Sequence, residues 1–346
     1  MTKVLVIATS RNTRGGITSV VKALEQGTQW KDYKCKWIET HIDTGVFMAL
    51  WYLFKGFLKY LILLPFAKII HIHLSEPSSA KRKLLFFIPA YLFGKKTIAH
   101  FHAFSPDSTI YGRNRWIYRY IFSRSKKVIV LSESWKETVN KAFSLENIEV
   151  VYNPCSTVIN KNKYEKQKHI LYAGTINARK GYADMIRAFA KIAKQHAEWK
   201  IVFAGNGEIK QGMALAKELG IEKQCIFLGW VNGDKKDKAF KEASIFCLPS
   251  YAEGFPMAVL DAWAYGLPVI TTPVGGIPDV AKNEENMLVF TSGNINKLAN
   301  YMNKLITDSE LRQRITEASI DFANNRFSQK EFNRQIAHIY SMLIVK

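Results

Sequence analysis

The chain has 346 residues, of which 48% are hydrophobic, and it carries a formal net charge of +20. This length suits two domains of ordinary size, and the apolar content excludes an intrinsically disordered chain because both halves can bury a core. The charge is uneven, since residues 1–160 carry 23 Lys and Arg against 10 Asp and Glu. Such an excess favours an anionic partner and leaves open nucleic acid, a phospholipid surface or a phosphorylated substrate.

The N-terminus and the cysteines predict the cellular compartment. The chain runs from its first residues directly into the apolar segment Val4–Ala8, without the basic head, apolar core and cleavage site of a signal peptide. The cysteines show neither metal-ligand spacing nor the density of a disulfide scaffold; they are Cys35, Cys155, Cys225 and Cys247. We therefore expect a cytoplasmic protein with reduced thiols.

Two apolar stretches lie in the N-terminal half, at residues 46–67 and 84–93. Neither predicts a membrane span, because Lys55 and Lys59 interrupt the first and the second has about half of the ~20 residues that a spanning helix needs. Two interpretations remain open. Either the stretches are helices buried or half-buried in a core, or they form an interfacial surface whose nearby lysines and arginines contact anionic headgroups.

Short β-branched runs alternate with helical patterns along the chain, which predicts an α/β fold with a parallel sheet in each half. The predicted strands are Val4–Ala8, Ile69–His73, Thr97–Phe101, Lys127–Leu131, His169–Ala173, Lys200–Ala204, Gln224–Leu228, Ile245–Leu248, Pro268–Thr271 and Met287–Phe290. A polar stretch at residues 158–168 predicts a linker between domains 1–160 and 161–327. Apolar residues at helical spacing predict a C-terminal helix over residues 328–346.

The segment after the predicted strand Ile245–Leu248 has the features of an anion site. Residues 253–256 lead into the helical run Met257–Tyr265. A helix that begins just beyond a strand end presents free N–H groups and the positive end of its dipole, which suits a phosphate. Glu253 and Asp261 lie eight positions apart, and their carboxylates suit the hydroxyl groups of a sugar or ribose. For Asp261, capping or solvating its own helix is the alternative.

Two further turns follow predicted strands. In Tyr172–Gly181, Arg179 and Lys180 stand beside the next helix start, where they can neutralise a departing diphosphate; a solvated basic turn is the alternative. The turn after the first strand carries Gly15 and Gly16, which allow the backbone to approach a ligand closely or merely permit a tight turn.

Histidines occur in two pairs, His71 with His73 and His100 with His102, each at the carboxyl end of a predicted strand. Because alternate residues of a strand face one side, each pair shares a face. Metal binding needs a third ligand, which the sequence does not identify. Lining a ligand site at the carboxyl edge of the sheet is the other interpretation.

Together these segments resemble the retaining glycosyltransferases of family 4 over essentially the whole chain. The strongest part is EGFPMAVLDAWAYGLPVITTPVGGIPDV, which begins at Glu253, followed by GTINARKG and LYAGT, with looser matches at GGI and HFHAF. The resemblance implies an α/β fold of the GT-B class, with two facing Rossmann-like domains, a cleft between them and a C-terminal helix that packs back on the N-terminal domain. It implies an acceptor domain at residues 1–160 and a nucleotide-sugar donor domain at residues 161–327.

The resemblance also implies roles for individual residues. Glu253 would bind the donor sugar, Arg179 and Lys180 would neutralise the β-phosphate, and His102 would line the reaction centre; these four form the implied catalytic set. The implied donor-binding set adds Gly16, Val231, Gly254, Phe255, Met257 and Asp261. Position 261 holds the ribose in the family, where Glu is usual, so the shorter Asp261 predicts a longer or water-mediated contact.

The implied activity is metal-independent, retaining transfer of a hexosyl or N-acetylhexosaminyl group from a nucleotide sugar, with UDP-sugar expected and GDP-sugar as the alternative. The expected acceptor is a lipid-linked saccharide or other oligosaccharide of capsule, exopolysaccharide or O-antigen biosynthesis. We expect peripheral contact with anionic lipid at the inner face of the cell membrane, no cofactor and no nucleic-acid partner. A sugar-nucleotide epimerase of similar two-domain form is the alternative activity.

Overall fold

The structure is a computed structural model, and it describes residues 3–156 and 165–344. The chain divides into two units, of which the first comprises Met1–Pro154 together with Gln329–Lys346 and the second comprises Cys155–Ser328. The boundary expected between residues 160 and 161 lies outside the described residues. The last helix of the chain is therefore part of the N-terminal unit.

Each unit contains a six-stranded parallel sheet. The strands are β1 Val4–Ala8, β2 Lys36–Glu39, β3 Ile69–Leu74, β4 Lys96–Phe101, β5 Lys127–Val130, β6 Ile148–Val150, β7 His169–Ala173, β8 Lys200–Ala204, β9 Cys225–Gly229, β10 Ile245–Leu248, β11 Val269–Thr271 and β12 Leu288–Val289. All ten predicted strands are present, which confirms the α/β class. Strands β2 and β6 were not predicted; both are short edge strands that contain charged residues.

Helices cover the sheets of both units. In the described residues they are α1 Gly16–Glu25, α2 Thr28–Asp32, α3 Val46–Leu63, α4 Pro77–Leu92, α5 Arg115–Arg124, α6 Glu133–Phe143, α7 Tyr182–Ala190, α8 Ile209–Glu218, α9 Gly233–Glu242, α10 Met257–Ala264, α11 Ile295–Thr307, α12 Ser309–Asn324 and α13 Gln329–Ile344. Helix α13 packs against α1, α2 and β3 of the N-terminal unit.

The order of the strands places a crevice in each sheet. In the second unit the order is β12-β11-β10-β7-β8-β9, so β7 and β10 are central neighbours. The chain leaves β7 toward β8 on one side and leaves β10 toward β11 on the other. Ligands of doubly wound sheets bind at the carboxyl ends of strands where the order reverses in this way. In the first unit, with order β2-β1-β3-β4-β5-β6, the corresponding position lies between β1 and β3.

Helix α3 is fixed to its unit by a few close contacts. The hydroxyl of Tyr60 donates a hydrogen bond of 2.6 Å to the carbonyl oxygen of Phe86 in α4, and the Phe57 and Phe86 rings meet edge to face. A Cβ atom added to Gly56 would lie 2.1 Å from the carbonyl oxygen of Glu39, so this helix approaches β2 through a glycine. The buried side of α3 is therefore narrow.

Of the buried or half-buried helix expected at residues 46–67, the fully buried form is wrong, because one side of the helix packs on the core through the partly buried Leu53, Phe57 and Leu63 and the other side is exposed. Only Gly56 and Tyr60 of α3 are buried, whereas large apolar side chains along the rest of the helix are exposed: Val46, Phe47, Met48, Leu50, Trp51, Phe54, Leu58, Leu61 and Ile62. Within the described residues, Val46–Phe66 is the one helical segment whose length and composition would allow it to cross a membrane. The second stretch is half-buried in α4, with Phe86 and Phe87 inside and Leu92 and Phe93 outside.

Replacing Phe86 by alanine should lower the free energy of unfolding by about 3–5 kcal/mol, because a fully buried ring is lost and a cavity remains. Replacing the adjacent Leu85, which is 49% exposed, should change it by less than about 0.5 kcal/mol. Urea denaturation of both variants and the parent measures the difference. Equal losses in the two variants would contradict this account of the N-terminal core.

Candidate active site

The carboxyl end of β10 leads into a loop that carries Glu253 and then into α10. Pro256 precedes the helix in an extended conformation, and its carbonyl oxygen accepts from the N–H groups of Val259 and Leu260. The N–H groups of Met257 and the residue after it lie in the first turn, where a helix offers no internal acceptor. The start of α10 therefore has the polarity of an anion site, as the sequence predicted.

Glu253 lies in this loop as a nearly buried carboxylate, 8% exposed. One of its oxygens accepts from the Lys180 ammonium at 2.5 Å and from the Ser250 hydroxyl at 2.8 Å. Its other oxygen lies 3.6 Å from Nη1 of Arg179, which also donates to the carbonyl oxygen of Ala252 at 2.6 Å. Two cations against one carboxylate leave a net positive group that can receive a further anion.

This group exists because the turn after β7 lies against the turn after β10. The N–H of Tyr251 donates to the carbonyl oxygen of Arg179 at 2.7 Å. Lys180 ends a short 3₁₀ turn that Asn177 caps by accepting from its N–H. Gly181 then takes a φ of +71°, and a Cβ atom there would lie 2.0 Å from the carbonyl oxygen of Pro249. Glycine at position 181 is what allows the cations to reach Glu253.

Asp261 belongs to a separate pair of contacts, although it lies on the same helix that begins beside Glu253. Its Oδ1 accepts from the Ser156 hydroxyl at 2.6 Å, and its Oδ2 accepts from the Lys236 ammonium at 2.6 Å. Asp261 is 8% exposed and thus nearly buried. The idea that it merely solvates α10 is therefore wrong, because its carboxylate is held by a cation from α9 and a hydroxyl. Lys236 and Ser156 were not predicted from the sequence as partners of Asp261.

The remaining donor-binding candidates of this unit differ in what they can contribute. The ring of Phe255 is buried against Trp263 and Phe327, so only its backbone is left for a ligand. The carbonyl oxygen of Gly254 already accepts from the N–H of Gly276 at 2.8 Å. Val231 lies in the loop between β9 and α9.

In the N-terminal unit, Gly16 is the first residue of α1, at the end of the turn after β1. Gly15 has a φ of +127°, which only glycine adopts readily, and a Cβ atom there would meet nothing within 4 Å. The need for glycine at position 15 is thus set by the backbone conformation. The two glycines leave space for a ligand at the turn after β1, beside the position between β1 and β3 where the strand order reverses.

The four histidines form one stack at the carboxyl ends of β3 and β4. His71 and His100 are joined by a contact of 3.2 Å between Nε2 and Nδ1, and His73 and His102 by one of 2.9 Å between Nδ1 and Nε2. Nδ1 of His71 also lies 2.7 Å from the hydroxyl of Tyr340 in α13. Burial lowers the pKa of His71 and of His102 to about 3, and that of His73 and His100 well below the usual value.

The third imidazole that a metal site requires is present, since ligand atoms of His71, His73 and His100 lie within 4.8 Å of one another. Their rings, however, are stacked, with 7° between the planes of His71 and His100 and 26° between those of His71 and His73. Both ring nitrogens of His71 already have partners, Nε2 with Nδ1 of His100 at 3.2 Å and Nδ1 with the Tyr340 hydroxyl at 2.7 Å. Metal ligands instead need free lone pairs that converge on one point. The geometry is that of a hydrogen-bonded stack.

Comparison with known proteins supports the resemblance. The family model described as Glycosyl transferases group 1 matches residues 157–322, and the model described as Glycosyltransferase Family 4 matches residues 43–158. An uncharacterized glycosyltransferase of Methanocaldococcus jannaschii is 30% identical over 236 residues, which is 63% of this chain and 60% of that protein. The Salmonella typhimurium lipopolysaccharide 1,6-galactosyltransferase is 28% identical over 60% of each chain. These matches therefore span somewhat more than half of the relatives' lengths.

Solved structures share the fold over the whole chain. The complex of Anabaena Alr3699/HepE with UDP and glucose has a TM-score of 0.77 at 18% identity and covers 99% of this chain and all of that one. Sucrose-phosphate synthase from Thermosynechococcus elongatus has a TM-score of 0.80 at 15% identity and covers both chains completely. These likenesses confirm the two-domain α/β fold of the GT-B class.

Replacing Gly181 by alanine should lower the free energy of unfolding by more than the same change at Gly220. Both residues have a φ near +70°, but a Cβ atom at Gly220 meets nothing within 4 Å. The Gly220 variant should lose about 1 kcal/mol from backbone strain alone, and the Gly181 variant at least about 2 kcal/mol more from the clash with Pro249. Chemical denaturation measures both, and equal losses would contradict the close approach of the two turns.

Proposed function

We propose that this chain, which the models of group 1 and family 4 glycosyltransferases match over residues 157–322 and 43–158, transfers a sugar from a UDP-sugar to an acceptor hydroxyl with retention of anomeric configuration. The observation that carries the proposal is the nearly buried Glu253, held by Lys180 and Arg179 beside the start of α10. A carboxylate there suits sugar hydroxyls, and the two cations with the helix start suit a diphosphate.

In the proposed reaction the bond between the anomeric carbon and the diphosphate oxygen breaks, and the acceptor oxygen forms a bond to the same carbon on the same face. The hydroxyl proton of the acceptor leaves with the departing UDP. Negative charge develops on the diphosphate as its bond breaks, and Arg179 and Lys180 stabilise that charge. Donors fixed in advance at a developing anion supply the largest share of the rate in many enzymes. No step of this scheme requires a metal ion.

Relatives and structural neighbours support the choice of donor and acceptor. The Anabaena protein was crystallised with UDP and with UDP-glucose, which favours UDP over GDP as the nucleotide. The Salmonella typhimurium relative is a lipopolysaccharide 1,6-galactosyltransferase, and a Klebsiella pneumoniae relative is encoded in a cps region. We accordingly propose a hexosyl or N-acetylhexosaminyl donor and a lipid-linked or oligosaccharide acceptor of surface polysaccharide biosynthesis. In this proposal His102 and Gly16 belong to the N-terminal unit, which binds the acceptor, and Val231 and Asp261 contact the nucleoside.

Replacing Glu253 by glutamine, or Lys180 by methionine, should lower the rate of sugar transfer at least about 100-fold, because the group of Glu253, Lys180 and Arg179 loses a charge used at the reacting bond. The matched control is Glu284→Gln, which breaks the partly exposed pair of Glu284 with Lys304, 2.6 Å long, in the same unit. This control should stay within about twofold of the parent.

The measurement is acceptor-dependent release of UDP from UDP-glucose, UDP-galactose and UDP-N-acetylglucosamine. Parent-like rates in both site variants would contradict the proposed role of this group. Interconversion of the nucleotide sugars without any acceptor would instead indicate an epimerase.

We also propose that the enzyme works as a peripheral protein at the inner face of the cell membrane, attached through the outer surface of α3, α4 and α5. These helices connect strands that follow one another in the same direction across the sheet, so right-handed crossovers put them on one side. Residues 46–124 contain 12 Lys and Arg against 2 Asp and Glu, which is half of the net charge of the chain. Exposed apolar side chains beside such charge suit an anionic bilayer.

The contacts of α3 favour a helix that lies on the bilayer over one that spans it. Its Gly56 touches β2 and its Tyr60 bonds to Phe86, so one side of the helix is held by protein. The opposite side exposes Phe47, Trp51 and Phe54. Apolar insertion of one face, with lysines and arginines at headgroup level, is the arrangement of an interfacial helix.

The double substitution of Phe47 and Phe54 by glutamate should reduce binding to phosphatidylglycerol vesicles at least about tenfold, because two inserted rings become charged. A control with the same charge change, Met213→Glu and Leu219→Glu, alters exposed apolar residues of the other unit and should bind like the parent. Cosedimentation with phosphatidylglycerol and with pure phosphatidylcholine vesicles measures both. Undiminished binding by the α3 variant would contradict the proposed attachment.

A further inference from the structure

The histidine stack at the carboxyl ends of β3 and β4 contains three rings, those of His71, His73 and His100, to which the proposed function assigns no role. His71 and His73 lie on β3, while His100 lies in β4 and His102 follows directly after it. In the parallel register His73 is the direct neighbour of His100. His71, His73 and His100 have no exposed surface, whereas His102 is partly exposed. His102 is therefore the member of the stack through which the other three can influence a ligand.

All four rings are neutral at physiological pH, since burial lowers the pKa of each member, and neighbouring imidazoles lower the pKa of His71, His73 and His100 further. A neutral imidazole has one nitrogen that donates a hydrogen bond and one that accepts. The contact of 2.9 Å between His73 Nδ1 and His102 Nε2 therefore requires that one ring donates and the other accepts. The proton position on His102 is thus tied to that on His73.

The unpaired nitrogen of His73 decides between the two possibilities. Nε2 of His73 is buried and has no hydrogen-bonding partner among the described residues. If His73 accepted through Nδ1, its Nε2 would carry an unsatisfied N–H, and orphaned N–H groups are rarer in protein interiors than unsatisfied acceptors. If His73 donates through Nδ1, only a lone pair remains unsatisfied. The second arrangement places the proton of His102 on its Nδ1.

We propose that His73 is a positioning residue that holds His102 in the Nδ1-protonated tautomer, so that His102 presents an N–H donor to an oxygen atom of the bound sugar. The sugar as ligand rests on the proposed function, whereas the tautomer does not. In this state His102 donates a hydrogen bond to the donor sugar or the acceptor and does not serve as a general base. Its ring plane is fixed as well, because it stacks on His100 with 4.2 Å between ring centres.

The first test observes the tautomer directly. Long-range proton–nitrogen correlation spectra of the full chain, labelled with ¹⁵N-histidine, distinguish the two tautomers because protonated and bare ring nitrogens resonate at well separated frequencies. The His102 signals are identified by their loss in His102→Gln. The expected result is His102 protonated on Nδ1. Protonation of His102 on Nε2 in the parent protein would overturn the proposal, whether or not any variant folds.

The second test separates positioning from packing. His73→Leu removes the bond to His102 and should lower kcat about tenfold with little change in KM for the UDP-sugar, the scale of one lost hydrogen bond. His73→Asn offers an amide N–H where Nδ1 stood and should recover kcat to within about threefold of the parent. The control is Tyr340→Phe, which removes the hydroxyl on His71 in the same stack and should leave kcat and the His102 tautomer unchanged.

Failure of the proposed function and failure of the positioning role of His73 give different results. A parent protein that transfers no sugar contradicts the proposed function, and the spectra still test the tautomer. An active parent whose Asn and Leu variants lose kcat equally, or whose Tyr340→Phe variant loses as much as His73→Leu, contradicts the positioning role of His73. Thermal unfolding of each variant accompanies the kinetics, because a loss of packing would lower stability in all three alike.

Discussion

The ion group of Glu253, Lys180 and Arg179 is the interaction on which the C-terminal unit depends. A nearly buried carboxylate is costly unless cations and hydrogen bonds compensate it, and here two cations and the Ser250 hydroxyl do so. Bringing them together requires β7 and β10 to be neighbours and Gly181 to let one turn touch the other. The fold thus stabilises a group whose excess positive charge is available to a diphosphate.

Much of this site could be predicted from the sequence, because its parts are local. Each pattern is visible within one segment of the chain: Glu253 stands before a helix start, and Arg179 and Lys180 follow a strand. The contact between them joins residues 73 positions apart, and it follows from strand order, which local periodicity does not contain. The sequence did not indicate a role for Lys236 or Ser156 for the same reason. Each is an ordinary polar residue that only the fold places beside Asp261.

The same limit applies to the fold elements and to α3. Central strands are continuous apolar runs and were predicted, whereas the edge strands β2 and β6 mix charged with apolar residues and were missed. Residues 46–67 are apolar around nearly the whole helix, a pattern that a buried helix and a membrane-bound helix share. Only the exposure of Phe47, Trp51 and Phe54 distinguishes the two. The two histidine pairs likewise could not be predicted to form one stack, because that follows from the parallel register of β3 and β4.

The central claim is that Arg179 and Lys180 bind the diphosphate of a nucleotide sugar, and calorimetric titration of UDP and of uridine tests it most directly. The parent protein should bind UDP at least about 100-fold more tightly than uridine, since two charge-assisted hydrogen bonds contribute about 1.5–3 kcal/mol each. The double variant Arg179→Met and Lys180→Met should lose that preference while its affinity for uridine is unchanged. Equal affinity of the parent for both ligands, or an undiminished preference in the variant, would contradict the account.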